Sequence, residues 1–494
     1  MSLESGSSSA ALLTDLYQLT MAYGYWRSSK ANRQAVFHLY FRKNPFGGGY
    51  AIAAGLQQVV EYLESFHFSQ QDIDYLASIP GNDGKTIFVG DFLHYLSGMK
   101  LEIDLDAIPE GTVVFPQQPL LRIKGPLLQC QLIETALLNI INFQTLVATK
   151  ASRVMRAAQG DSILEFGLRR AQGPDGAMSA SRAAYVGGCS ATSNVLAGKQ
   201  FGIPVRGTHA HSWVMAFDSE YESFAAYAAA MPNNCVFLVD TYDTIEGVRN
   251  AIRVGKEMRA KGQRLVGIRL DSGDLAYLSI EARRLLDEAG FRDASIVASN
   301  DLDERLIESL KRQGAKIDVW GVGTKLVTAY DQAALGGVYK LGAIRDDLGE
   351  WKPKIKLSEQ LIKITTPGIL QVRRYFDDHG KAIADVMFDE LHRPQEKWLS
   401  IDPEDYSKQT TFGSDQKYED LVVPVMRQGK QVASSSSLAE LRQRTIEQLN
   451  MFPAGILRFD NPHKYPIGLE EGLFQQKSRL ALAGRKRESE KNGQ

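Results

Sequence analysis

The sequence predicts an α/β fold whose central part carries a parallel sheet, closed or partly closed into a barrel. Three observations predict it. From Ser162 to about Ile344, short apolar runs recur at close spacing. Amphipathic helical stretches lie between them, the alternation expected of βα units. Each run also ends in polar or glycine residues, where α/β folds place their chemistry. The runs are Ile163-Leu164-Glu165-Phe166-Gly167, Ile203-Pro204-Val205-Arg206-Gly207-Thr208, Cys235-Val236-Phe237-Leu238-Val239-Asp240 and Leu265-Val266-Gly267-Ile268-Arg269-Leu270-Asp271. Ser295-Ile296-Val297-Ala298-Ser299-Asn300, Ile317-Asp318-Val319-Trp320-Gly321-Val322-Gly323 and Val338-Tyr339-Lys340-Leu341 complete the set. Helices are expected over 244–260, 275–289 and 303–312.

The flanking regions read differently. At 494 residues the chain suggests two or three domains. Residues 1–11 are Ser-rich and expected to be disordered, 12–150 form an N-terminal domain and 151–345 the barrel. Residues 346–484 are β-rich and either complete the first domain or form a third lobe, and 485–494 are a charged, disordered tail. Thr14 is placed to cap a helix starting at Asp15-Leu16-Tyr17. Ala35 to Phe41 reads as a strand followed by the loop 44–49, and Gln129 to Val147 as a buried helix. In the last region, strands are expected over 351–357, 370–376, 382–388 and 421–432, with a helix over 437–449.

Composition excludes some function classes. A 44% hydrophobic content supports large cores, and 57 Lys and Arg nearly cancel 58 Asp and Glu. No global field draws the chain to nucleic acid or an anionic membrane. Cys130, Cys189 and Cys235 are widely spaced without a metal-ligand pattern, consistent with free thiols in a reducing compartment. With no signal-peptide layout and no apolar run of membrane-spanning length, the expected location is the cytoplasm.

The chemistry concentrates at four run ends. Gly207-Thr208-His209-Ala210-His211-Ser212-Trp213 gathers two imidazoles and two hydroxyls. Neutral histidine is a competent nucleophile, although, taken alone, the motif slightly favours a helix start with locally bonded imidazoles. Phe166 with Arg169 and Arg170 suits an aromatic acid: the ring stacks and a guanidinium grips a carboxylate or phosphate. The plainer reading is a core Phe beside two solvated arginines. Arg269-Leu270-Asp271-Ser272-Gly273-Asp274 sets two carboxylates around a Ser-Gly turn. Asp271 and Asp274 can hold ribose hydroxyls or Mg²⁺, with helix capping as the ordinary alternative. Gly321, Gly323 and Thr324, followed by Lys325, let backbone amides approach an anion; Gly336-Gly337 is a weaker version. If all four ends share one face, they suit a phosphorylated sugar and an aromatic acid.

With these motifs in view, the chain resembles the nicotinate phosphoribosyltransferase family. The resemblance runs from Thr14-Asp15-Leu16-Tyr17-Gln18-Leu19-Thr20-Met21 to Lys354-Ile355-Lys356-Leu357-Ser358-Glu359 and is densest at Phe166 to Gly176, Gly207 to Ser212 and Arg269 to Leu275. It implies an irregular (β/α) barrel with an α/β sandwich domain built from both ends of the chain. The implied assembly is a homodimer with its active site at the subunit interface. The implied reaction forms nicotinate mononucleotide and pyrophosphate from nicotinate and phosphoribosyl pyrophosphate, in NAD salvage. It is coupled to ATP hydrolysis through a phosphohistidine, with Mg²⁺. Residue by residue, the resemblance makes His211 the phosphorylated histidine. Phe166 and Tyr17 would sandwich the pyridine, Tyr17 reaching in from the other subunit. Arg169 and Arg269 would face carboxylate or phosphates, Asp271, Ser272 and Gly273 the ribose and phosphate, and Gly321, Gly323 and Thr324 the phosphates. His209 receives no role. Two other readings stay open: a nicotinamide-specific relative, and a phosphate-binding barrel enzyme of another class, such as an aldolase using Lys325.

Overall fold

The computed structural model describes residues 10–394 and 397–492. Residues 1–9, most of the stretch expected to be disordered, lie outside the described residues; Ala11, also within it, is buried. The chain is a mixed α/β protein of two compact units.

One unit comprises residues 147–333 and 438–443. Its six-stranded parallel sheet runs Ala191–Thr192, Ser162–Glu165, Val319–Val322, Ser295–Ala298, Gly267–Leu270, Val236–Leu238. Val205 adds a parallel bridge to Thr192 beyond the first of these strands. Helices Thr244–Ala260, Leu275–Glu288 and Glu304–Arg312 connect successive strands, each capped by the aspartate before it: Asp243, Asp274 and Asp303. The strands are nearly all apolar because both faces of such a sheet are covered.

The other unit gathers residues 1–146, 334–437 and 444–494. A seven-stranded antiparallel sheet contains Gln34–Phe41 as an interior strand, and a six-stranded sheet contains Leu370–Phe376 and Ala382–Asp389. Its core encloses the fully buried Arg374–Asp385 pair at 2.7 Å. Such a pair persists only when its remaining polar atoms are bonded. Here Arg374 also donates to Val113 O and Gln448, and the Tyr465 hydroxyl and Gln118 amide donate to Asp385.

Several expectations are corrected. The run Val338–Leu341 is not a strand of the parallel sheet. It lies in Gly337–Arg345, antiparallel to Gln34–Phe41 in the other unit. A short apolar run reads the same in either setting, and its partner decides. Gly337 there is a packing glycine: its N–H donates to Asn142, and a Cβ would stand 2.1 Å from that amide oxygen. Thr14 does not cap the first helix, Leu16–Arg27; its hydroxyl donates to Leu132 O, and Asp15 holds the cap position. The expected helix over 129–147 is two helices, Leu127–Leu132 and Glu134–Ala158. The last helix runs from Glu471 to Asn492, through residues 485–492 of the stretch read as a disordered tail, since straight-chain charged residues are good helix formers; residues 493–494 lie outside the described residues.

Candidate active site

Strand register assembles the site. Val322 lies beside Glu165, Ala298 beside Leu270, and Leu238 beside Arg269, so the residues following each strand emerge together. Phe166, Ser299, Asp271 and Asp240 all occupy such positions.

Arg269 is the hub. Its Nε donates to Ser299 Oγ at 2.8 Å, Nη1 to Thr208 Oγ1 at 2.9 Å, and Nη2 to Asp271 Oδ1 at 2.8 Å. The Ser299 hydroxyl also donates to Asp271 Oδ1. Burial raises the Asp271 carboxyl, but the Ser299 hydroxyl and then the Arg269 charge outweigh it and hold the group below the usual carboxylate range. Asp240 Oδ2 accepts from the Asp271 N–H at 2.8 Å and from the Ser272 hydroxyl at 2.7 Å. Its Oδ1 is buried and has no hydrogen-bond partner among the described residues.

His211 opens the short helix His211–Met215 and is partly exposed. Nδ1 lies 3.1 Å from Thr241 Oγ1, and Nε2 lies 3.7 Å from Asp271 Oδ2. His209, two residues earlier, is buried against Tyr227 and Phe224, with ring centroids 4.8 and 6.1 Å apart. Burial first, then the charges of Arg269 and His211, outweigh the bond to Ala210 O and push its imidazole down to about 4. The ring is therefore neutral at physiological pH, and its Nε2 accepts the Leu238 N–H at 3.2 Å.

Phe166 extends its strand by donating its N–H to Val322 O at 2.8 Å. The Arg269 guanidinium carbon lies 6.0 Å from the centre of its ring. The neighbouring strand must be bare here: a Cβ on Gly321 would meet the Phe166 ring at 2.7 Å, and one on Gly323 would meet Phe166 O at 3.0 Å. Thr324 and Lys325 begin the four-residue helix after Gly323. Lys325 is not a free amine, since its Nζ is 2.6 Å from Asp303 Oδ2. Burial alone would lower its pKa, but the Asp303 carboxylate overrides this and raises it, so Lys325 stays charged and is a poor Schiff-base nucleophile. Arg169 and Arg170 are exposed on the turn Leu168–Arg170 after Phe166.

Arg269 thus contacts Asp271 and Phe166, Asp271 faces His211, and Ser272 joins them through Asp240. Gly273, at φ +78°, supplies the left-handed turn before the helix cap. Asp274 serves that cap, its Oδ1 accepting the Tyr277 N–H at 3.1 Å, as the ordinary reading of the motif expects. Tyr17 belongs to the other unit, on helix Leu16–Arg27, and is half exposed. Sequence reasoning missed three partners. Asp240 and Ser299 carried a signal, each standing at the end of an apolar run. Thr241 carried none.

Carboxylate oxygens suit a hard cation such as Mg²⁺. Among the described residues, no group of three or more His, Cys, Asp or Glu side chains is gathered as a metal cage. Mg²⁺, however, is commonly held by one or two carboxylates together with substrate phosphates and water. The unsatisfied Asp240 Oδ1, adjoining the Asp271 turn, fits that arrangement.

Family models match along nearly the whole chain. The nicotinate phosphoribosyltransferase N-terminal domain covers residues 12–142, the family model 162–378 and the C-terminal domain 370–477. The chain belongs to the nicotinate phosphoribosyltransferase family. Within it, the chain is 46% identical to the Bacillus subtilis nicotinate phosphoribosyltransferase over 475 residues, 95% of this chain and 94% of that one. It is 40% identical to an Arabidopsis thaliana member over 528 residues, covering 94% and 92%. The human nicotinic acid phosphoribosyltransferase crystal structure superposes with a TM-score of 0.83 at 33% identity, over 94% of this chain and 99% of that one. A Pyrococcus furiosus nicotinate-nucleotide pyrophosphorylase shares the fold at a TM-score of 0.68 and 20% identity, covering 91% and 99%. Among the described residues, no helix of this family member is long and apolar enough to cross a membrane.

Proposed function

We propose that this enzyme transfers the phosphoribosyl group of phosphoribosyl pyrophosphate to nicotinate, forming nicotinate mononucleotide and pyrophosphate in NAD salvage in the cytoplasm. The observation that carries the reading is the join between Phe166, Arg269, Asp271 and His211: an aromatic surface, a cation, a carboxylate and an imidazole at adjacent strand ends. Membership of the family supplies the reaction.

The pyridine nitrogen of nicotinate is unprotonated at neutral pH, so its lone pair forms the new bond to the anomeric carbon without a general base. The bond to pyrophosphate breaks, and the leaving group departs with the electron pair. What the protein must supply is alignment and charge stabilisation. Phe166 stacks the ring, with Tyr17 of a second subunit on its other face in the proposed homodimer. Arg169 is the cation for the nicotinate carboxylate, a group nicotinamide lacks; Arg269, paired with Asp271, faces the phosphates. Asp271, Ser272 and Gly273 take the ribose and phosphate, and Gly321, Gly323 and Thr324 the phosphates. Mg²⁺, when bound, would offset the charge of the departing pyrophosphate, and Asp240 and Asp271 would hold it; Asp274 is a weaker candidate because it serves the helix cap.

ATP enters as a co-substrate through phosphorylation of His211. Thr241 orients that imidazole. Adding a phosphoryl group places up to two negative charges near Arg269 and can reset its pairing with Asp271. The parallel sheet belongs, in this reading, to an irregular (β/α) barrel, and the antiparallel unit to an α/β sandwich.

One experiment tests the whole. The protein is mixed with nicotinate, phosphoribosyl pyrophosphate, Mg²⁺ and ATP, and the products are separated. Nicotinate mononucleotide, with ATP-dependent stimulation and no comparable product from nicotinamide, is expected. Absence of the mononucleotide overturns the reading.

A further inference from the structure

His209 lies outside the groups that would touch substrate, yet it is tied to the two strands that lead to Thr241 and Asp271, the neighbours of the His211 ring. Its Nε2 accepts the backbone N–H of Leu238 at 3.2 Å. Its own carbonyl accepts from Arg269 Nη1 at 3.4 Å. The Thr208 hydroxyl beside it accepts from the same guanidinium nitrogen at 2.9 Å. Strands Val236–Leu238 and Gly267–Leu270 are hydrogen-bonded neighbours, so the loop 207–210 is anchored to two adjacent strands.

The anchor has a second consequence. Loop 207–210 leaves Val205, which pairs with Thr192 at one edge of the parallel sheet, while Val236–Leu238 forms the opposite edge. The imidazole therefore joins the two edges, where no strand among the described residues supplies a backbone bond. His211 follows two residues later, and its Nδ1 meets Thr241, three residues beyond Leu238. An error at the Leu238 contact is passed directly to the His211 ring.

The ring also has a built seat. Tyr227 and Phe224 pack against it, Phe224 stacks on Phe237 at 4.7 Å, and Trp213 packs on Tyr227 at 5.8 Å. Trp213 is itself fixed by donation from Nε1 to Ser223 O at 3.1 Å. An imidazole whose Nε2 accepts must carry its proton on Nδ1. That nitrogen lies 3.4 Å from Ala210 O, which can accept it.

We infer that His209 is a positioning residue for His211, acting as a neutral hydrogen-bond acceptor that pins the loop before the helix His211–Met215 to Leu238. The inference rests on the phosphotransfer reading of His211 for its functional consequence, but its geometric content does not.

The experiment compares wild type with His209→Gln and His209→Phe in the full-length protein. Glutamine places an acceptor oxygen near the position of Nε2; phenylalanine keeps the ring packing and removes the acceptor. The first readout is the rate at which diethyl pyrocarbonate modifies His211, resolved from other histidines by mass spectrometry. The second is the ratio of turnover with and without ATP. His209→Phe is expected to change the His211 modification rate, and to lower the ATP ratio, by about fivefold, the effect of losing one hydrogen bond. His209→Gln is expected to stay within about twofold of wild type on both. If His209→Phe does not fold, His209→Asn, which is polar but too short to reach Leu238, takes its place. An unchanged His211 modification rate in the acceptor-free variant overturns the inference, whatever happens to thermal stability. So does a Gln variant that behaves like Phe. A changed modification rate in an enzyme that ATP does not stimulate upholds the positioning role and removes the phosphotransfer reading instead.

Discussion

The Nε2 of His211 stands 3.7 Å from Oδ2 of Asp271, whose other oxygen accepts from Arg269 and Ser299. One carboxylate therefore faces the imidazole on one side and is committed to a guanidinium on the other. Any charge placed on His211 is felt by Arg269 through Asp271.

Replacing His211 by Asn removes the group that would carry phosphate while preserving a polar side chain. ATP-stimulated turnover is expected to disappear, leaving a slower ATP-independent transfer. Steady-state rates with and without ATP check this, and full ATP coupling in the variant refutes the assigned role.

Asp271→Asn leaves the partly buried Arg269 without its carboxylate. Hydrogen bonds to charged groups contribute about 1.5–3 kcal/mol, so kcat/KM is expected to fall by about 10- to 150-fold. Because the carboxyl is held below the usual range, it remains ionised throughout the neutral region, and its contribution is lost only as pH falls through that lowered value. A pH–rate profile whose acid limb is unchanged by the substitution would show that Asp271 is not responsible for it.

Gly321→Ala drives a methyl into the Phe166 ring. Overpacking of this kind costs about 1–3 kcal/mol, and a tilted ring should raise KM for nicotinate by about 5- to 150-fold with kcat less affected. Measuring both constants distinguishes a shifted ring from general unfolding, which would reduce active enzyme without changing KM.

Asp240→Asn removes charge from the carboxylate beside the Asp271 turn whose second, buried oxygen has no hydrogen-bond partner among the described residues. The Mg²⁺ concentration for half-maximal activity is expected to rise at least about tenfold. An unaltered Mg²⁺ titration assigns the ion elsewhere.

Stability should decline on the acid side of neutrality because of His38. Burial first, then the Arg122 charge, push its imidazole down to about 3, and Nε2 accepts the Leu370 N–H at 3.2 Å. A histidine held neutral in the fold contributes stability that is whole above its unfolded pKa of ~6.5. That contribution is lost as pH falls from there toward 3, at up to about 1.4 kcal/mol per pH unit. Thermal unfolding of wild type and His38→Gln between pH 7 and 4.5 should show a shallower acid decline in the variant; parallel declines would remove His38 as the cause.

Much of the candidate site was legible because its parts are short and contiguous. Arg269, Asp271 and Ser272 lie within four residues, and a strand end followed by a helix cap is written locally. Asp274 shows the limit of such reading. Two acids and an arginine in six residues exceed what a cap requires and pointed to ribose or metal binding, yet the Tyr277 N–H it accepts shows that Asp274 serves as the cap. Asp240, Thr241 and Ser299 entered only through partners some thirty residues away.

By itself the sequence determined the family, the alternation of strand and helix between Ser162 and Val322, and the residue types at each strand end. These are properties of adjacent residues: periodicity, turn chemistry and short motifs. Tertiary structure alone decided that Gly337–Arg345 joins Gln34–Phe41, that Arg269 is neutralised by Asp271, and that His209 reaches Leu238. Those outcomes depend on which strands become neighbours and in what register, and a pairing between distant segments leaves no local trace in either of them.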